Sequence, residues 1–134
     1  MKVFIDTCIP MYAAGSALPL KKNCVDIMQS IADQKIQAYS DTEVFQEILY
    51  RFFNINRREL GLQIFDLFST ILDGNVLPNR VADVRLARNL ATLHPYLSPR
   101  DLIHLAVMYN NGIKKIITAD KAFVKVAGIQ VIFP

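Results

Sequence analysis

The residues of this sequence best suited to chemistry are carboxylates placed near the ends of apolar runs. The stretch KVFIDTC begins as a buried strand would and then reaches Asp6. A charge at the edge of an apolar core costs on the order of several kcal/mol unless something pairs with it, so Asp6 requires a partner. Three other acids lie where they could join it: Glu47 and Asp101 in helical segments, and Asp120 directly after the run IITA.

Carboxylates gathered at one point require a cation, because they repel one another and cannot all ionise cheaply near pH 7. The cysteines and histidines do not cluster at zinc-ligand spacing. Oxygen ligands therefore dominate, and they favour Mg²⁺ or Mn²⁺. A metal held this way activates water and stabilises the charge that develops on a phosphodiester. These residues predict a metal-dependent site that acts on phosphate.

Each acid also has a structural alternative. Asp101 lies in SPRD, which resembles a capping box, and first-turn acids favour the helix dipole whatever their function. Asp120 can be the N-cap of the next helix, and Glu47 a solvated surface residue. Taken singly, Asp101 and Asp120 favour the structural alternative, and Glu47 stays open. Asp6 favours function, since it follows a strand without opening an evident helix.

Glu43 is the acid that capping accounts for. The segment SDTE (40–43) has capping-box spacing, with Ser40 as the N-cap. Glu47 lies one turn further along and is not explained in this way.

The elements that must position these acids alternate along the chain. Short apolar runs predict strands at 2–5, 36–40, 75–78, 114–118 and 129–133. Helical spacing predicts helices at 20–34, 42–54, 58–72, about 80–93 and 99–111, with a short helix between the last two strands. This alternation predicts an α/β fold with a mostly parallel sheet and helices on both faces. In such folds, ligands bind beyond the carboxyl ends of the strands.

Composition limits the class of protein. The 134 residues suit a single domain over 1–134, and 52% hydrophobic with 20% charged residues indicates a globular chain. Asp6 interrupts any secretory signal, no run approaches the roughly 18 apolar residues of a membrane helix, and the two cysteines fit a reducing cytoplasm. The net charge of +3 and the pI near 9.0 hint only weakly at nucleic acid.

Four stretches together resemble the PIN-domain family, specifically the short ribonuclease toxins of VapBC-type toxin–antitoxin pairs. They are VFIDTCIPMY, TEVFQEILYRF, LSPRDLIHLAVM and KKIITADKAF, in the family's order and spacing over nearly all of the chain. In the second stretch, Glu47 and not Glu43 holds the family's acidic position. The resemblance implies that the acidic metal-binding and catalytic set is Asp6, Glu47, Asp101 and Asp120.

The same resemblance implies a fold, an activity and partners. Thr7 and Thr118 would be supporting hydroxyls around a PIN-like parallel sheet of about five strands with helices on both faces. The implied activity is that of a Mg²⁺- or Mn²⁺-dependent endoribonuclease, in which a metal-activated water leaves a 3′-hydroxyl and a 5′-phosphate. The implied partners are RNA, a second copy in a homodimer, and a small cognate antitoxin whose tail occupies a groove near the site. The expected location is the cytoplasm, with no membrane partner.

Two rival functions remain. A PIN-like module that binds RNA or protein without cutting would keep the same fold. A phosphoryl-accepting receiver domain ranks well below the nuclease, because the third predicted strand ends in NVLPNR, without the acid that a receiver phosphorylates.

Three polar residues have weaker claims. Arg100 adjoins Asp101 and could pair with the acidic cluster or reach a phosphate, although a solvated or capping role serves it equally well. Lys121 adjoins Asp120 and is the best placed of several basic residues that could contact an RNA backbone, most of which are ordinary surface charges. His104, three residues after Asp101, could orient a carboxylate or touch substrate. Its setting in LIHLAVM favours instead a satisfied, partly buried helix residue.

The region 44–72 is rich in phenylalanine, and core packing is its default interpretation. Its apolar pattern nevertheless covers more than one face, with Phe45 and Leu67 off the main stripe. An exposed apolar patch marks a partner surface. We therefore hypothesise that this helical pair forms an antitoxin groove that includes Phe53.

Overall fold

The computed structural model describes residues 1–15 and 19–134. The strands are β1 (Lys2–Ile5), β2 (Gln37–Asp41), β3 (Val76–Leu77), β4 (Lys115–Ile117) and β5 (Gln130–Ile132). The helices are α1 (Cys8–Ala14), α2 (Lys21–Ala32), α3 (Thr42–Asn54), α4 (Arg58–Leu72), α5 (Val81–Leu93) and α6 (Pro99–Asn110), followed by a short 3₁₀ helix, Lys121–Lys125. No helix within the described ranges is both long and apolar enough to cross a membrane.

β1 is the central strand of the five-stranded sheet, whose order is β3-β2-β1-β4-β5. Every neighbouring pair is parallel, as the strand–helix alternation predicts. The chain builds outward from β1 to β3 on one side and then returns through β4 and β5 on the other. The order therefore reverses between β1 and β4, which is where parallel α/β sheets open a crevice for ligands.

The helices pack in consecutive pairs: α1 with α2, α3 with α4, and α5 with α6. Gly61 sets how closely α3 and α4 approach, since a Cβ there would lie 2.6 Å from the Phe52 Cβ. Phe45 stacks on Phe68 in the same pair, with 5.5 Å between ring centroids, and is buried. The expectation that Phe45 lies off the buried stripe is therefore wrong, because α4 covers it.

Two local predictions around the acids are wrong. Asp6 does precede a helix: Thr7 is the N-cap residue of α1, and Pro10 fits because the backbone N–H groups of a first turn need no intrahelical partner. The N-cap of α3 is Asp41 and not Ser40, because β2 continues through Asp41, whose side chain accepts from the Val44 N–H. The capping explanation for Glu43 therefore fails.

Candidate metal centre

Asp6 lies at the carboxyl end of β1 and is almost fully buried. Its backbone N–H extends the pairing with β4 by donating to Ile117 O at 3.1 Å. Two donors fix its carboxylate: the Thr7 N–H reaches Oδ1 at 2.7 Å, and the Thr118 hydroxyl reaches Oδ2 at 2.6 Å. Thr7 and Thr118 thus both contact the first acid of the predicted set.

Asp120 is tied to the same point through Thr118, whose hydroxyl oxygen accepts from the Asp120 N–H at 3.0 Å. Its own Oδ1 accepts from the Ala122 N–H at 2.9 Å and so caps the 3₁₀ helix. Only Oδ1 is used to cap the 3₁₀ helix, and the exposed Asp120 side chain also lines the cavity above Asp6. The capping role and the site role of Asp120 are therefore compatible.

Glu47 projects from α3 and is half-buried. The Thr7 hydroxyl donates to its Oε2, which explains why the N-cap residue of α1 makes no side-chain capping bond. Arg100 Nε lies 3.8 Å from Glu47 Oε1. Burial opposes ionisation of Glu47, but contacts with His104, Thr7 and Arg100 outweigh it and lower its pKa. Glu47 is therefore charged more readily than an isolated glutamate.

Asp101 enters from the first turn of α6, where its N–H donates to the N-cap Ser98 Oγ at 3.2 Å. Burial and the negative charges of Asp6 and Asp120 raise the pKa of Asp101 to about 7, against the opposing effects of His104 and Ser98. Burial likewise raises the pKa of Asp6. Without a cation, these carboxyl groups therefore resist ionising together.

His104 is not the satisfied residue that its apolar neighbours suggest. It is fully buried, and its Nδ1 lies 2.8 Å from Asp41 Oδ2. Its Nε2 points to the acids, 3.6 Å from Glu47 Oε1 and 3.9 Å from Asp6 Oδ1, without a hydrogen-bond partner among the described residues. Burial disfavours a charge on this ring, but Asp41, Glu47 and Asp6 raise its pKa well above the usual value.

Asp41 is the residue of this centre that sequence reasoning missed. It is fully buried, and its two oxygens have separate partners: Oδ1 accepts from the Val44 N–H at 2.9 Å, and Oδ2 contacts His104. The signal was present, because Asp41 follows an apolar strand as Asp6 does. The capping-box pattern at 40–43 offered a sufficient explanation for this segment, so Asp41 was not considered separately.

An open cavity of about 650 Å³ lies above these groups. Its lining includes Asp6, Glu47, Asp101 and Asp120, together with Arg51 and Arg100. The Arg100 guanidinium also lies over the Tyr50 ring, 4.7 Å from its centroid. Lys121 is exposed and does not line this cavity. The cavity therefore presents carboxylates at its floor and arginines at its wall.

A divalent cation suits this donor set. One ligand atom each from Asp6, Asp101 and His104 lies within 4.8 Å of the others. The buried Nε2 has no hydrogen-bond partner among the described residues, and a positive charge beside Asp6 and Asp101 would favour their ionised forms, which burial disfavours. Cys8 does not offer a nucleophile instead, because burial and Asp6 raise the pKa of its thiol to about 12.

A parallel sheet with acids converging where its strand order reverses defines a class of α/β proteins with an acidic crevice at the carboxyl edge of the sheet. Residues 3–129 match the PIN domain, and the chain belongs to that family. It is 34% identical over 128 residues to Ribonuclease VapC13 of Mycobacterium tuberculosis, covering 96% of this chain and 97% of the relative. It is 30% identical to Ribonuclease VapC23 of the same species, covering 88% and 92%.

Solved structures share the fold. VapBC2 from Rickettsia felis, bound to a fragment of its promoter DNA, superposes with a TM-score of 0.76 at 15% identity, covering 100% of this chain and 99% of that one. VapC20 of Mycobacterium tuberculosis, a toxin that cleaves the sarcin–ricin loop, gives a TM-score of 0.70 at 13% identity, with coverage of 95% and 98%. The predicted PIN-like fold is confirmed.

Proposed function

We propose that this protein is a metal-dependent endoribonuclease that acts as the toxin of a toxin–antitoxin pair. The observation that carries the proposal is the convergence of Asp6, Glu47, Asp101 and Asp120 on one cavity at the carboxyl edge of the sheet. The named relatives are ribonucleases, and this donor set suits a divalent cation. We assign Mg²⁺ or Mn²⁺, since carboxylate oxygens dominate the set.

The residues around the cavity divide the work between them. When bound, the metal supplies an activated water and charge neutralisation for cleavage to a 3′-hydroxyl and a 5′-phosphate. Thr7 and Thr118 hold the Asp6 carboxylate in one orientation through hydrogen bonds to both of its oxygens. The arginines at the wall, Arg51 and Arg100, attract the RNA backbone and keep the scissile phosphate near the acids.

Cleavage of a mixed tRNA and rRNA substrate by the purified full chain tests this proposal. We expect cutting with Mg²⁺ or Mn²⁺, none with chelator, and loss in folded Asp6→Asn and Asp101→Asn variants. Asp66→Asn is the matched control, because Asp66 is exposed on α4 away from the cavity lining. Metal binding without cutting of any substrate would favour the non-catalytic module. Cutting that survives both site variants would show that the site is wrong.

The proposed partners are RNA, a cognate antitoxin and a second copy of the chain, in the cytoplasm. The fold neighbours from Rickettsia felis and Salmonella typhimurium are VapBC assemblies bound to DNA.

An apolar groove of about 270 Å³ between α1, α2 and α4 is the proposed binding site for an antitoxin segment. Its lining includes Pro10, Ala13, Val25, Met28, Leu67 and Ile71. α1 also contributes Met11 and Tyr12 to the metal cavity. A segment in the groove would therefore lie beside the site.

Leu67 tests this groove, because its side chain is 56% exposed. We expect Leu67→Lys to cleave RNA normally but to escape inhibition by the cognate antitoxin. Val84→Lys is the control, on α5 and also exposed. Equal inhibition of both variants would place the antitoxin elsewhere. A role for Phe53 on the α3–α4 pair stays a prediction; its ring lies 4.3 Å from the Arg58 guanidinium carbon.

A further inference from the structure

His104 has a buried nitrogen directed at the acids, and the proposed activity gives it no role. We propose that His104 Nε2 is itself a ligand of the metal, held in place by Asp41, so that the centre has mixed nitrogen and oxygen donors. This inference rests on the proposed metal-dependent function and specifies its site further.

The imidazole ring is fixed on two sides. Its Nδ1 lies 2.8 Å from Asp41 Oδ2, and its face is tilted against Phe4 with 5.3 Å between ring centroids. Asp41 is itself immobilised, because its other oxygen accepts from the Val44 N–H at the start of α3. The ring cannot turn away without breaking these contacts, so the direction of Nε2 is set by the fold.

That direction is toward the carboxylates. Nε2 lies 3.6 Å from Glu47 Oε1 and 3.9 Å from Asp6 Oδ1, and no described residue hydrogen-bonds to it. Donors about 2.1 Å from one cation lie at most ~4.2 Å apart. The atoms of Asp6, Asp101 and His104 lie within 4.8 Å of one another, so a cation need draw them together only slightly.

The spacing along α6 supports the same assignment. Asp101 and His104 are three residues apart, which places both on one face of the helix. A carboxylate and a histidine at this spacing, directed inward, supply ligands to one metal centre in helical carboxylate proteins. Asp101 and His104 therefore form a local ligand pair, to which β1 adds Asp6.

Asp41 completes an arrangement typical of histidine ligands. A metal-bound imidazole usually donates its other N–H to a carboxylate, which fixes the tautomer and makes the ligating nitrogen more basic. A neutral ring that donates from Nδ1 to the Asp41 carboxylate, 2.8 Å away, has its Nε2 lone pair available toward the cavity. The same lone pair can instead hold a proton and pair with Glu47 and Asp6. The two states differ in whether nitrogen touches the metal.

A nitrogen donor changes which metals the centre prefers. Imidazole suits first-row transition ions better than it suits Mg²⁺, which takes oxygen ligands. The preference for Mn²⁺ over Mg²⁺ should therefore be greater here than at a centre made of carboxylates alone, and it should fall when His104 is replaced.

Pulsed electron paramagnetic resonance of the Mn²⁺-loaded full chain tests the ligand directly. We expect modulation from a coordinated imidazole ¹⁴N. The chain has two histidines. The other one, His94, is hydrogen-bonded to Tyr96, with its Nδ1 2.8 Å from the Tyr96 hydroxyl. The signal should persist in His94→Gln and disappear in His104→Gln. If His104→Gln does not fold, the wild type and His94→Gln still decide the assignment.

Calorimetric metal binding provides a second readout. We expect His104→Gln to weaken Mn²⁺ binding about 10–100-fold and Mg²⁺ binding less. Asp41→Asn should weaken Mn²⁺ binding about tenfold, while Asn preserves the N-cap of α3. Mn²⁺ binding that depends on Asp6 but shows no imidazole coupling would overturn the ligand assignment and leave the metal centre standing. If the wild type shows no Mn²⁺ binding that Asp6→Asn abolishes, both the ligand assignment and the metal centre are overturned.

Discussion

Thr118 donates its hydroxyl hydrogen to Asp6 Oδ2 over 2.6 Å and thereby joins the ends of β4 and β1. The same hydroxyl oxygen accepts from the Asp120 N–H at 3.0 Å. One side chain thus orients the central acid and anchors the loop that carries the last one.

Thr118→Val removes this link while keeping the shape of the side chain. We expect RNA cleavage to fall about tenfold, because Asp6 loses a hydrogen-bond donor that orients it and stabilises its charged form. The free energy of unfolding should fall by about 1–3 kcal/mol, since the buried Asp6 oxygen is left without its partner. Single-turnover cleavage and urea unfolding measure the two effects. Thr70→Val, on the exposed face of α4, is the control. Unchanged cleavage would show that Thr118 has no role in the active site.

Asp101 should make the stability of the metal-free protein depend on pH. Burial and Asp6 raise its pKa from the usual 3.8 to about 7. Between about pH 4 and pH 7 the folded state then holds a proton that the unfolded state has released. The contribution of Asp101 to the free energy of unfolding is therefore fully present below pH 4 and is lost as the pH rises to about 7.

Urea unfolding of the wild type and Asp101→Asn across this range measures the effect. We expect the variant to lose less stability than the wild type on going from pH 4 to pH 7, by on the order of a few kcal/mol. Mn²⁺ should restore the stability of the wild type at neutral pH, because it binds the folded state. Parallel pH profiles for the two proteins would contradict the assignment.

Arg100 should contribute to RNA binding more than to the chemical step. Its guanidinium lies over the Tyr50 ring and beside Glu43 and Glu47, at the wall of the cavity. We expect Arg100→Gln to raise KM several-fold at 0.1 M salt with a smaller change in kcat, and to reduce the salt dependence of binding. Lys22→Gln, exposed on α2, is the control. A fall in kcat with KM unchanged would assign Arg100 to the chemical step.

Gly61 should be required for packing rather than for helix flexibility. Alanine would add about 1 kcal/mol of helix propensity, but its Cβ would lie 2.6 Å from the Phe52 Cβ across the helix pair. Overpacking costs about 1–3 kcal/mol, so Gly61→Ala should lower the free energy of unfolding. Ser69→Ala, on the exposed side of the same helix, should not. Stabilisation by Gly61→Ala would show that the helices can separate without cost.

Asp6 could be predicted from the sequence because its signal is local: an apolar strand that ends on a carboxylate. The strand–helix alternation was equally informative, and α4 begins and ends at the predicted residues 58 and 72. The second strand was predicted at 36–40, displaced by one residue from β2, so the prediction ends before Asp41, where the strand passes directly into α3.

Asp41 was missed, and His104 was interpreted first as a satisfied helix residue, for a physical reason. The capping role of Asp41 is real, but it uses one oxygen, and the other contacts a ring 63 residues away in sequence. His104 sits among apolar neighbours that explain its burial but not the direction of Nε2. Only the register of α6 against β1 and β2 determines what that nitrogen faces.

The placement of β1 and β4 side by side also determines when the site can exist. Asp6 directly follows the first strand, yet the hydroxyl that orients it comes from Thr118, 112 residues later. Contacts of such long sequence separation form late, since the entropy of closing the intervening chain is lost before any contact compensates for it. During synthesis, a chain that has made β1, β2 and β3 has two of the four acids, Asp6 and Glu47, but no assembled centre. A nuclease built in this order stays inert until β4 has joined the sheet.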